Sequence, residues 1–208
     1  MDKKEKVKKI LERLCKIYPH PKTALYYKTP FQLLIATVLS AQATDKLVNT
    51  ITPVLFKKYP DAKAFANTAL EELDQDIAKI NFHHNKARNI QAIAKIIDEK
   101  YHGKVPKSME ELDALPGVAR KTANVVLGNA FDIAEGIVVD THVMRLSQKL
   151  GLTDKKTPEK IEEDLMQIVP KENWIDFSHL LINFGREYCP ARLHKCMNCP
   201  LENLCPDL

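Results

Sequence analysis

Apolar positions recur at helical spacing along almost the whole chain. Val7, Ile10, Leu11, Leu14 and Tyr18 form one stripe, and Phe31, Leu34, Ile35, Val38 and Leu39 a second. Ala87, Ile90, Ala94, Ile97 and Tyr101 form a third. Ala123, Val126, Leu127 and Ala130 follow, then Val143, Leu146, Ser147 and Leu150. Ile161, Leu165 and Ile168 precede a last long stripe of Trp174, Phe177, Leu181, Phe184 and Tyr188. No stretch sustains a period of two. Residues 136–139 read either as a short strand or as a buried connection. The pattern predicts an all-α protein of about ten short helices.

The punctuation fits that reading. Ser108 and Glu111 have capping-box spacing. Thr157 before Pro158 predicts an N-cap followed by proline at the first helical position, and Gly151 ends the stripe before it. No repeat, low-complexity stretch or linker is visible. The best candidate boundaries are residues 19–22 and 132–135.

Composition narrows the class without naming a function. The chain has 208 residues, 45% hydrophobic and 28% charged, as expected of a globular protein that can bury its own core. Its net charge of +4 is compatible with a polyanionic partner and specifies none. The N-terminus lacks an apolar secretory segment and no run is long enough to span a membrane, so a reducing, intracellular setting is the expectation; a monomer is expected as well.

Four of the five cysteines then acquire meaning. Cys189, Cys196, Cys199 and Cys205 have the spacing C-x6-C-x2-C-x5-C, and in a reducing compartment this suggests metal ligation over disulfides. Four thiolates so close together need a cation, and either zinc or an iron–sulfur cluster would serve. A single C-x2-C leans towards a cubane cluster. Cys15 stands apart and reads as a small core residue.

Three further motifs could carry chemistry. In LPGVARKTA, starting at Leu115, a helix ends near Leu112, turns at Gly117 and reopens at about Val118. The unpaired N–H groups at such a helix start, with the positive end of its dipole, suit a phosphate. That contact positions a nucleic-acid backbone and reads no base. A plain helical corner is the bland alternative. Arg120 and Lys121 sit unusually for cations in that first turn. A lysine beside another cation there should lose its proton more easily and become a nucleophile, although both could simply reach phosphate or solvent. In VDTHVMR, Asp140 is a natural N-cap, His142 reads as structural, and Arg145 could pair with a carboxylate or phosphate. In LSAQATD, Thr44 or Asp45 would cap a helix, leaving Gln42 at an exposed tip.

Together and in this order, LSAQATD, LPGVARKTANVVL, VDTHVMR and the cysteine pattern resemble the endonuclease III family of DNA glycosylases, from about Leu11 to Cys205. The resemblance implies two helical lobes with a DNA cleft between them. Residues 23–134 would form a six-helix lobe with a helix-hairpin-helix; residues 1–22 and 135–208 would carry a 4Fe-4S cluster on the four cysteines. It implies a bifunctional enzyme that removes oxidised pyrimidines from double-stranded DNA and cleaves abasic sites. Lys121 matches the Schiff-base lysine and Asp140 the catalytic aspartate. Leu115, Pro116, Gly117, Val118, Ala119 and Arg120 match the backbone-holding hairpin, and Gln42 the residue that fills the space of a flipped nucleotide. His83 and His84 lie in a loop that would meet the opposite strand. Arg145, Arg186, Arg192 and Lys195, with His194, would add positive charge for phosphates. Ala119 stands where a second glycine is usual, and Asn81 where glycine is expected. The competing readings are a related mismatch or adenine glycosylase, which typically lacks the lysine, a non-enzymatic DNA-binding module with a four-cysteine metal site, and a helical adaptor.

Overall fold

The computed structural model describes residues 1–192 and 198–205. Its helices are α1 (Lys3–Ile17), α2 (Pro30–Ser40), α3 (Asp45–Lys58), α4 (Ala62–Asn67), α5 (Leu70–Asp76), α6 (His83–Glu99), α7 (Met109–Asp113), α8 (Arg120–Phe131), α9 (Thr141–Lys149), α10 (Pro158–Ile168) and α11 (Trp174–Glu187). Short 3-10 turns occupy Lys171–Asn173 and Glu202–Leu204. The described residues contain no strand: residues 136–139 are an irregular connection whose Ile137 and Val139 are buried. No helix among them is long and apolar enough to cross a membrane.

The chain divides into two compact units, Ala24–Ile133 and Met1–Thr23 with Ala134–Leu208. In the first, α2 is the central helix. Phe31 and every residue from Leu33 to Leu39 are buried, so it has no solvent face. It packs against α3, α6 and α8. Thr29 starts it by accepting from the Gln32 amide at 3.2 Å, with Pro30 at the first helical position. Phe65 of α4 is fully buried and meets Phe31 edge-on at 5.6 Å between centroids and Tyr59 at 5.0 Å.

In the second unit, α10 and α11 each pack on α1 and α9. Phe177, Leu181 and Phe184 share the core with the α1 stripe of Val7, Ile10, Leu11 and Leu14. Polar ties fix α1 as well: Lys6 donates to the Leu150 carbonyl at 2.8 Å, Arg13 to the Pro200 carbonyl at 2.9 Å, and the Tyr18 hydroxyl to Glu187 at 2.7 Å.

One local expectation is corrected. Cys15 is exposed, because the buried face of α1 ends at Leu14 and the next position has turned towards solvent. Thr157 is the N-cap of α10 and Pro158 its first residue, as expected, although the Thr157 side chain makes no capping hydrogen bond. Gly151, with φ of +68°, ends α9 as expected.

Leu34→Ala should cost about 2–5 kcal/mol, because it leaves a cavity in the middle of a helix buried on all sides; a lower urea midpoint measures it. His179 on α11 gives a pH dependence. Loss of solvent lowers its pKa from 6.5 to about 4, opposed by the charge of Asp140. The unfolded imidazole takes a proton that the folded one resists. This contribution to stability is thus full above pH 6.5 and lost as pH falls towards 4. The Tm of His179→Gln should fall less steeply than that of the parent across that window.

Candidate active site

The hairpin is built from its caps inwards. Ser108 opens α7 by accepting from the Glu111 amide at 3.3 Å, and its hydroxyl donates to the Glu111 carboxylate at 2.9 Å. The turn that follows is anchored by two buried side chains, Leu115 and Val118, joined by a backbone hydrogen bond of 3.1 Å. Pro116 is half-buried; Gly117 and Ala119 are exposed. Gly117 takes φ of +71°, and a Cβ there would lie 2.2 Å from the Asn89 side-chain nitrogen. The backbone therefore favours glycine here, and any larger residue would also have to displace the Asn89 side chain.

Helix α8 begins at Arg120, two residues after the sequence-based expectation, because Val118 still closes the turn and Ala119 is the extended N-cap. Ala119 supplies no side-chain cap and the first turn holds no acidic residue. The leading N–H groups consequently lack the side-chain acceptor that most helix starts provide. Arg120 and Lys121, both exposed, stand in this first turn. Lys121 makes no hydrogen bond or ion pair with a described residue.

Asp140 is the N-cap of α9. Its Oδ1 accepts from the amides of His142 at 2.9 Å and Val143 at 2.8 Å. Both bonds fall on one oxygen, so the cap fixes the carboxylate's orientation while Oδ2 takes no part in it. His142, expected to be a satisfied structural histidine, has a buried Nδ1 with no hydrogen-bond partner.

Gln42 projects from the turn after α2, exposed, with φ of +54°. Two side chains that the sequence reading did not single out for this hold that strained turn. Buried Lys86 donates to the carbonyls of Leu39, at 2.9 Å, and Ala41, and Asn81 donates to the Gln42 carbonyl at 3.0 Å. Burial lowers the Lys86 pKa. A signal existed: Lys86 lies one helical turn before Ile90, on the apolar stripe, where a charge must find partners. Phe82, also at positive φ (+60°), is largely exposed at the start of α6. His83 and His84 turn their Nδ1 atoms to Asp74, at 2.7 and 2.9 Å.

Of the four clustered cysteines, Cys189 is buried and Cys199 and Cys205 half-buried, all three unbridged. They line one narrow apolar pocket with Leu146, Leu150, Phe184 and Leu201. Arg145 directs Nη1 to the Cys189 sulfur at 3.6 Å and donates through Nη2 to its carbonyl; Lys149 Nζ lies 3.7 Å from the same sulfur. Arg145 thus meets a sulfur and a carbonyl where a carboxylate or phosphate was expected. Cationic donors around sulfur in an apolar pocket fit ligands that must carry thiolate charge. Arg186 and Arg192 are exposed. Cys196, His194 and Lys195 lie outside the described residues.

The hairpin gives one test. Gly117→Ala should destabilise the protein by about 1–3 kcal/mol through strain at positive φ, lowering Tm by several degrees.

Residues 35–171 match the model of the HhH-GPD superfamily of base excision DNA repair proteins. The chain is 52% identical to endonuclease III of Synechocystis sp. over 204 residues, covering 98% of this chain and 93% of that one. It is similar to a solved non-covalent endonuclease III–DNA complex, with 45% identity, a TM-score of 0.92, and 99% and 96% of the two chains covered. A trapped endonuclease III–DNA covalent intermediate matches with the same identity and TM-score, over 99% and 97%. With glycine favoured in the hairpin, an uncapped cationic helix start and three clustered cysteines in one pocket, the chain belongs to the endonuclease III family of base excision DNA repair proteins.

Proposed function

We propose that this chain excises oxidised pyrimidines from double-stranded DNA and then cleaves the strand at the abasic site. The observation that carries the reading is Lys121: an exposed amine, unpaired among the described residues, at an uncapped helix start. A relative has been trapped in covalent linkage to DNA, and an amine nucleophile accounts for such a linkage.

The hairpin from Leu115 to Arg120 grips the backbone through the leading N–H groups of α8, without reading sequence. Extruding the damaged nucleotide costs a few kcal/mol, and Gln42 offsets part of this by occupying the vacated space. The Lys121 amine, deprotonated, attacks C1′ as the bond to the base breaks and the base leaves with its electron pair and a proton. Asp140 stabilises the positive charge that develops on the sugar and assists proton transfer. Opening of the sugar ring gives a Schiff base that acidifies the C2′ proton. Loss of that proton expels the 3′ phosphate, and water then frees the lysine. Asp140 with water alone could release a base but would leave the strand whole.

Around this centre, His83 and His84, expected in a loop but standing as the first two residues of α6, would face the opposite strand, and Arg186, Arg192 and Lys195 would add phosphate contacts. Cys189, Cys196, Cys199 and Cys205 would hold a 4Fe-4S cluster, which supplies structural support to their segment and takes no part in bond-making. Arg145 and Lys149, which approach the Cys189 sulfur, would offset its charge. A DNA substrate sets the work of the protein in the compartment that holds the chromosome, inside the cell.

Single-turnover assays on a duplex containing thymine glycol test the reading. Lys121→Gln should remove strand cleavage entirely, and Asp140→Asn should keep DNA affinity while lowering base release at least about 100-fold. Strand cleavage by the lysine variant, or undiminished release by the aspartate variant, would overturn the assignment.

A further inference from the structure

Asp74 of α5 and His83 and His84, the first two residues of α6, bring three metal-type donors together away from the cysteines. Asp74 Oδ1 lies 2.7 Å from His83 Nδ1 and Oδ2 lies 2.9 Å from His84 Nδ1. The two imidazole rings are tilted at 46° to each other, with centroids 4.0 Å apart. One donor atom from each residue lies within 4.8 Å of the other two. We propose that these residues form a binding site for a divalent transition cation of the zinc class, with water completing the coordination.

The donor set selects the class of ion. Two imidazole nitrogens and one carboxylate oxygen suit zinc and its neighbours, whereas magnesium and calcium demand oxygen shells. The spacing permits it. Metal–donor bonds of about 2.1 Å place tetrahedral donors about 3.4 Å apart. The two hydrogen-bonded pairs must therefore open from 2.7 and 2.9 Å, while the three donor atoms, within 4.8 Å of one another, close to that spacing by side-chain rotation. His84 is 73% exposed, which leaves an entry path and room for water, while Asp74 and His83 are mostly enclosed and supply a fixed base.

Electrostatics favours the same state. Asp74 supplies the negative charge that a cation beside a helix N-terminus requires. An ion here would staple α5 to the start of α6, next to Phe82 and the Asn81–Gln42 contact. The proposal does not depend on the reaction above.

The test is a Zn2+ titration of the full-length, cluster-containing protein against a chromogenic chelator. The parent should take up about one equivalent that the His83→Asn/His84→Asn protein does not, and zinc should raise the parent's thermal midpoint further than the variant's. Exposed His84 can be replaced without disturbing the core, so His84→Asn alone carries the test if the double variant fails to fold. It should weaken this uptake at least about tenfold. Equal uptake and equal affinity in parent and variants, or no uptake by the parent, would overturn the proposal.

Discussion

Backbone N–H groups at the start of α8 have no carbonyl ahead of them and no side-chain cap beside them. That single deficit organises the hairpin. Leu115 and Val118 are buried so that the turn cannot drift, and Gly117 adopts a positive φ so that the chain can reverse within it. Ala119 ends the turn without offering an oxygen. The outcome is a helix start that only an external acceptor can satisfy, and under the proposed function a phosphate would supply both the oxygen and the charge. The same start carries two cations where an ordinary helix would carry an acid. A local arrangement that costs stability in the free protein becomes favourable once a polyanion is bound.

A comparable logic governs the other parts. Gln42 is held at positive φ by hydrogen bonds from Lys86 and Asn81. A buried ammonium is costly unless its protons find acceptors, and the carbonyls left over at the end of α2 are acceptors without helical partners. Each group satisfies the other, so the exposed glutamine rests on a rigid support. Asp140 uses one oxygen to begin α9, which fixes the carboxylate by backbone hydrogen bonds instead of a flexible side-chain contact. Around Cys189, Arg145 and Lys149 play the corresponding part for sulfur.

Much of this was legible in the sequence because it is local. The helical stripes, the Ser108 cap, the Asp140 cap and the Gly117 turn all depend on residues within one or two turns of each other, and those features are where the sequence placed them. The omissions, at Lys86 and Asp74, arose where longer-range structure decides, whereas the misplacements of Cys15 and of the α8 start are local. Cys15 follows an apolar stripe directly, but the helix turns it outwards. Lys86 reaches carbonyls more than forty positions away, at Leu39 and Ala41. Asp74 meets His83 and His84 only because α5 folds back on α6. The start of α8 was placed two residues early, since periodicity continues through the turn while the hydrogen bonds do not.

The central claim is that one particular amine becomes joined to DNA. The most direct measurement is to reduce the complex with abasic duplex using borohydride, digest it, and sequence the cross-linked peptide. The account predicts a single modified lysine, Lys121, in the peptide that follows the LPGVAR segment. Attachment at any other lysine, or at the N-terminal amine, would contradict it.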